Sequence, residues 1–363
     1  MKLFKCQNCR QLLYFENTMC ENCGHDLGFL SSKTDLLTLK KRDHEAFSDV
    51  KNPEKHYRFC RNSRSEVCNW LIPVDLQDEY CIACKLNAVI PNLNKESNLM
   101  QWRKLEIAKH RLVYSFLKLR LPLFSKSEDS ENGLGFDFLS EEDAPTGVVM
   151  GHAEGLITIN LAEADDAKRE AMREKLGEPY RTLMGHFRHE SGHYYWDRLI
   201  KNSPENLNSF RDLFGNEGID YNEALQKHYK NGPPLNWADS FVSAYATAHP
   251  WEDWAETWAH YLHIIDTLET AYYHGLKIHS IEEPRIQLVA TNENDPFNVN
   301  DFKELINLWY PLTVTINNLN RSMGQRDFYP FVIAGPVVEK LKYIHHLCQQ
   351  QNNLKQDPHL QNP

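Results

Sequence analysis

Between Leu99 and Leu121 the run "LMQWRKLEIAKHRLVYSFLKLRL" places apolar residues at helical spacing (Leu99, Trp102, Leu105, Val113, Phe116, Leu117). Pro122 ends it, which predicts one long helix. After the polar loop "SKSEDSENGLG", the segment "GVVMGHAEGLITINLAEADD" holds two β-branched runs around a glycine-containing turn, the pattern of a hairpin. The charged stretch "AEADDAKREAMREKL" reads as a helix leading into another, "EPYRTLMGHFRHESGHYYWDRLI". In that second helix Pro179 stands near the start, and Tyr180, Leu183, Phe187, Tyr194 and Leu199 offer a largely apolar stripe. Gly192 sits in its interior at a cost of about 1 kcal/mol against alanine, which calls for close approach of another segment. The loop "YKNGPPLNW" then precedes a long helix from about Pro250 to Gly275, and helical patterns continue to about residue 350. The tail "QQQNNLKQDPHLQNP" is polar enough to be expected disordered.

Ahead of all this, residues 1 to about 90 read as short strands and knuckles, with "DLLTLKKRDHEAFSDVKNPEKH" as a polar, basic, solvated connector. The sum is an α+β fold, helix-dominated, with a small strand layer before the helix that carries "HFRHESGH". The expected domains are residues 1–95 and 96–350, followed by a tail at 351–363.

With 363 residues, 41% apolar and 25% charged, the composition is that of a soluble globular chain of two or three domains. It contains no long apolar run, so no membrane span is expected. The net charge of −10 argues against a nucleic-acid partner. The start "MKLFKCQNCR" lacks the apolar core of a signal peptide, which points to the cytoplasm.

The cysteines support that compartment. Eight of nine precede residue 85: Cys6, Cys9, Cys20 and Cys23 as two C-x-x-C pairs, then Cys60, Cys68, Cys81 and Cys84. Two C-x-x-C knuckles close together are a strong sign of a structural Zn(Cys)4 ribbon, and the less regular second set suggests another such site. A disulfide framework is the rival reading, but it needs an oxidising compartment. Cys348, alone in a helical pattern, reads as a buried apolar residue.

The second candidate chemistry lies in "HFRHESGHYYWD". His189 and His193 are four apart and share one helix face, where two imidazoles can take neighbouring corners of a zinc site. Glu190 then stands beside the metal as a general base, the H-E-x-x-H arrangement of metallopeptidases. With 17 histidines in the chain the motif arises by chance in roughly one such sequence in twenty, so a third ligand is needed. The stretch "SAYATAHPWEDWAETWAHYLHI" offers Glu252 as that ligand. Glu256, one turn on, would orient a ligating histidine from outside the coordination shell. The exchange of these two roles stays open. A solvated glutamate face is the alternative, against which Trp251, Trp254 and Trp258 argue by surrounding the carboxylates with apolar surface. Tyr245 is placed to donate its hydroxyl to an oxyanion. His260 and His263 read as hydrogen-bonded helix histidines rather than a separate metal pair.

These residues resemble the glutamate-ligand zinc peptidases (gluzincins), and Tyr-x6-Glu-x3-Glu is similar to the lethal-factor-like branch. More closely, "TGVVMGHAEGLITINLAEADD", "EPYRTLMGHFRHE", "SAYATAHPWEDWAETWAHYLHIIDTLETA", "CNWL" and the paired cysteines resemble a bacterial family of zinc-binding metallopeptidases with an N-terminal zinc ribbon, over roughly residues 1–280. The resemblance implies a zincin-like domain, one catalytic and two structural zinc ions, and a peptide or protein substrate. It also implies a sheet ahead of the motif helix, with "GLITIN" as the edge that would pair with an extended substrate. Ser191 departs from it, since an apolar residue is expected between Glu190 and Gly192. A zinc amidohydrolase and a non-enzymatic zinc-ribbon adaptor are the competing functions, and oligomeric state is left open.

Overall fold

The first C-x-x-C turns the chain back on itself, so that β1 (Phe4–Lys5) and β2 (Leu12–Leu13) pair antiparallel. This is a computed structural model of the chain; it describes residues 1–42, 45–142, 147–148, 150–176, 182–279, 287–288 and 294–354. Two compact units emerge: Met1–Lys118 with Leu123–Leu176 and Thr182–Met184, and Leu119–Pro122 with the chain from Gly185 onward.

In the first unit β3 (Asp26–Leu30), β4 (Asp35–Lys41), β5 (Phe47–Asp49), β6 (His56–Phe59) and β7 (Leu71–Pro73) form an antiparallel meander in sequence order. Leu30, Leu37, Leu39, Tyr57 and Leu71 make its core, with Phe47 and Phe59 packed against them. The expected solvated connector is therefore wrong. Its residues are β4, β5 and the start of β6, and Leu36, Leu37 and Leu39 are buried. The charges that suggested solvent collect at the far end of β4, where Lys40 and Lys41 are exposed.

β8 (Asn87–Val89) follows Cys84, then come α1 (Glu96–Lys118), β9 (Gly135–Leu139), β10 (Gly151–Ala153), β11 (Leu156–Asn160) and α2 (Asp166–Leu176). The sheet order is β10-β11-β9-β8: β10 and β11 form the expected hairpin, and β9 runs parallel to both β11 and β8. "GLITIN" is thus no edge, because β11 is hydrogen-bonded on both sides. Its alternation, with Ile157 and Ile159 buried and Thr158 half-exposed, reports one buried face and not an open side. Tyr114 of α1 packs 5.6 Å from the Phe15 ring, and Phe15 in turn lies 4.9 Å from Phe29, so the helix and the ribbon share one aromatic core.

The second unit is helical: α3 (Leu183–Leu199), α4 (Pro204–Phe214), α5 (Tyr221–Asn231), α6 (Pro250–Tyr273), α7 (Phe302–Ser322) and α8 (Gly335–Leu354). Side chains cap four of these: Ser203 at α4, Asp220 at α5, Asp301 at α7, and His249 at α6, where Pro250 then occupies the first turn. α6 is the core element, burying Trp254, Trp258, Tyr261, Leu262, Ile265 and Leu268. α8 packs on it through Lys340, whose ammonium donates to Asp253 at 2.6 Å, and Cys348 is buried there as expected. α8 reaches four residues into the expected tail, whose remainder lies outside the described residues, as do Pro179 and Tyr180. Among the described residues no helix is long and apolar enough to cross a membrane.

Candidate metal centres

The ribbon knuckles are built by backbone geometry. Arg10 and Gly24, each just after a C-x-x-C pair, take φ of 65° and 69°, and their N–H groups donate to Cys6 O and Cys20 O at 2.8 Å. That turn folds both thiols of a pair inward. The result brings Cys6, Cys9, Cys20 and Cys23 within reach of one ion, with Sγ atoms 3.6 Å apart for Cys6–Cys23 and Cys9–Cys20. A tetrahedron with zinc–sulfur bonds of about 2.3 Å has edges of about 3.8 Å, whereas a disulfide needs about 2.05 Å. Thr38 Oγ1 also donates to Cys6 Sγ at 3.5 Å.

The irregular second set closes equally well. Cys60, Cys68, Cys81 and Cys84 are all buried and converge, with Cys68 and Cys81 sulfurs 3.7 Å apart. Backbone N–H groups of Cys81 and Trp70 donate to Cys60 Sγ and Cys68 Sγ at 3.3 Å. Such donors favour thiolates.

The third centre is made by α3 and α6. Their backbones meet at Gly192, where a β-carbon would stand 2.9 Å from Ala255 Cα, so the packing reason its presence called for is this contact. Trp254 Nε1 donates to Gly192 O at 2.8 Å, and Trp258 Nε1 to Ser191 Oγ at 3.2 Å. Ser191 is fully buried but satisfied, since its hydroxyl also donates to Arg188 O at 2.7 Å, which explains a polar residue at an apolar position.

Across that contact His189, His193 and Glu252 bring one ligand atom each within 4.8 Å of the others. Glu252 Oε2 is 3.1 Å from His189 Nε2, and Oε1 is 3.5 Å from His193 Nε2. Glu252 is 1% exposed, which for a carboxylate demands compensation by a cation. Its Oε2 atom is buried and accepts no hydrogen bond. Two imidazoles and a carboxylate are the donor set of a zinc site with an open fourth position, so the residues fit the ion. Burial works against charge on His189, but Glu252 and Glu256 outweigh it and hold its pKa well above the usual imidazole value. Burial likewise works to raise Glu252, yet His193 and His189 hold it well below the usual carboxylate range.

Glu256 stands outside this trio. It accepts from His189 Nδ1 at 2.7 Å through Oε1 and from Ser243 Oγ at 2.6 Å through Oε2. Glu190, next to His189 on α3, is half-buried. The Tyr245 ring lies 6.0 Å from that of His189. His260 and His263 are not part of any metal-sized donor group among the described residues: His260 Nδ1 pairs with Tyr329 OH at 2.6 Å, and His263 accepts from Arg188.

Two residues of the site carried no signal in the sequence. Tyr221 of α5 donates its hydroxyl to Glu252 Oε1 at 2.6 Å, and burial, Glu252 and Glu190 together raise its pKa. Ser243 is the other. Each is a single polar residue brought in by the fold from a separate element, with no periodic spacing to the motif.

Residues 98–347 match a family model described as "Putative zinc-binding metallo-peptidase", and residues 3–95 match one for a zinc-ribbon domain. Relatives from Mycobacterium bovis and Mycobacterium tuberculosis, each named as an uncharacterized protein, are 43% identical over 345 residues. The match spans 95% of this chain and 94% of each relative. No solved structure matches the chain. Zinc binding is supported by these family descriptions and by the cysteine clusters together.

Proposed function

The chain belongs to this family of zinc-binding metallo-peptidases, and from that premise we propose that it hydrolyses peptide bonds with a zinc ion held by His189, His193 and Glu252. The observation that carries the reading is the convergence of those three donors while Glu256 engages the opposite nitrogen of His189. Zinc bound there supplies a Lewis acid that lowers the pKa of water toward about 7 and polarises a carbonyl.

The chain's own residues do the rest. Glu256 accepts the Nδ1–H of His189, which fixes the tautomer and turns the Nε2 lone pair toward the centre. Ser243 holds Glu256 in that pose, and Tyr221 holds Glu252. Glu190 takes a proton from the attacking water and passes it to the leaving amine. Tyr245 donates its hydroxyl to the oxyanion, a role its place beside His189 supports. The two cysteine clusters each hold a structural zinc in a ribbon that stabilises the chain or recruits a peptide or protein substrate. Thiolate sites of this kind suit a reducing compartment, the cytoplasm.

Glu190→Gln tests the reading. The variant should keep its zinc by elemental analysis and lose cleavage of a peptide library by at least about 100-fold. Undiminished cleavage would remove Glu190 from the chemistry. A wild-type protein that holds zinc but cleaves nothing would favour the metal-bearing adaptor.

A further inference from the structure

α1 sets three ionisable side chains against the second cysteine cluster. Glu106 and Lys109 are completely buried, and His110 is 4% exposed. Glu106 Oε1 accepts from Lys109 Nζ at 2.8 Å and from Asn87 Nδ2 at 2.9 Å. Its other oxygen, Oε2, stands 3.9 Å from Cys84 Sγ. His110 Nδ1 is 2.6 Å from the Glu106 carbonyl oxygen, which can only accept, so Nδ1 carries the hydrogen. In a neutral ring that leaves the lone pair on Nε2, 3.7 Å from Cys84 Sγ. Glu106 Oε2 also lies 3.4 Å from His110 Nδ1, so a carboxylate oxygen, an imidazole whose Nε2 lone pair is aimed at sulfur, and the Cys84 sulfur are gathered inside the protein.

We propose that Cys84, Glu106 and His110 bind a second divalent ion beside the one held by Cys60, Cys68, Cys81 and Cys84, with the Cys84 sulfur bridging the two. The ligand atoms of the three residues lie within 4.8 Å of one another. Around a tetrahedral zinc a sulfur–nitrogen edge is about 3.6 Å, close to the spacing of Cys84 and His110. The hydrogen bond from Nδ1 is the outer contact that orients a ligating histidine. Lys109 sits on the far oxygen of Glu106, so its charge steadies the carboxylate from outside the site.

Charge balance leads to the same place. Once the four buried cysteines are ionised as ligands of the first ion, they and Glu106, set against Lys109, enclose a large negative charge. One divalent ion cancels half of it, and a second cancels the remainder, which an interior of low dielectric strongly favours. The mixed sulfur, nitrogen and oxygen donor set suits zinc or another borderline divalent ion.

The test uses the full-length chain with its zinc exchanged for cadmium-113. A bridging thiolate couples two cadmium nuclei, so two mutually split resonances are expected, one of tetrathiolate type and one with mixed donors. His110→Ala should bind one ion fewer and collapse the pair to a single unsplit tetrathiolate signal, with near-ultraviolet circular dichroism retained. A single unsplit tetrathiolate resonance for this cluster in the wild-type chain overturns the proposal, as does unchanged metal content in folded His110→Ala. Should that variant not fold, the wild-type spectrum alone decides. In that outcome protons, rather than an ion, hold the three groups together.

Discussion

Replacing Gly192 by alanine asks whether the approach of α3 to α6 sets the proposed catalytic site. The added β-carbon would stand 2.9 Å from Ala255 Cα and 3.2 Å from Trp258 Cβ. Carbon atoms settle at about 3.5 Å or more, and Ala255 Cα is backbone that cannot rotate away, so the helices must part by about 0.6 Å. Metal–ligand distances tolerate about 0.2 Å. His193 adjoins Gly192 on one helix, and Glu252 lies within a turn of Ala255 on the other, so the separation falls directly on the ligand set. Losing glycine favours the helix by about 1 kcal/mol, whereas overpacking costs about 1–3 kcal/mol. Metal-free stability should therefore drop by no more than about 2 kcal/mol in urea denaturation. Zinc affinity, measured by competition with a chelator, should drop by at least about tenfold, since about 1.4 kcal/mol of strain at the site suffices for that. Wild-type affinity in a folded Gly192→Ala protein would refute the claim that this contact positions the ligands.

Three further outcomes follow from the packing. Tyr221→Phe removes the hydroxyl that holds Glu252 and should weaken zinc binding by about 10- to 100-fold in the same competition assay; an unchanged constant would make the contact incidental. Lys340→Met leaves Asp253 buried without its cation and should cost about 3–5 kcal/mol by denaturant unfolding, and a loss under about 1 kcal/mol would contradict the account of that pair. Cutting the chain before residue 96 strips Asn87 from Glu106 and Lys109 and β8 from β9, so circular dichroism of the 96–363 fragment should show lower thermal stability than the full chain. An identical melting curve would show that α1 and β9 need nothing from the ribbon.

What could be read from the sequence was whatever depends on short-range spacing. The C-x-x-C pairs, His189 and His193 on one helix turn, and the Trp-rich α6 all follow from periodicity within a single element, and Phe187, Tyr194 and Leu199 are buried as the stripe requires. Gly192 announced a close contact but not its partner, Ala255, which only the packing of two helices supplies. The β4–β5 segment was misread because Lys40, Lys41 and their neighbours outweigh Leu36, Leu37 and Leu39 in composition, although the apolar residues take the core. β11 was misplaced because alternation reports which face is buried and says nothing of which neighbours pair with a strand. Glu106 and His110 stand four apart on one face of α1, but no spacing ties that pair to Cys84; Tyr221 and Ser243 were invisible for another reason. Each reaches its centre from a separate element, and a lone polar residue in a helix or loop has no pattern to betray it.

The central claim, that His189, His193 and Glu252 hold the ion while Glu256 only orients His189, is tested most directly by metal content after substitution. Wild-type protein, Glu252→Ala and Glu256→Ala would be dialysed under the same mild chelation and analysed for zinc, with circular dichroism to confirm folding. Glu252→Ala is expected to lose one ion per chain relative to the wild type, because it removes a donor from the converging trio. Glu256→Ala is expected to keep that ion with about 10- to 100-fold weaker affinity. A folded Glu256→Ala protein that lacks the ion, beside a Glu252→Ala protein that retains it, would contradict the account and exchange the two roles.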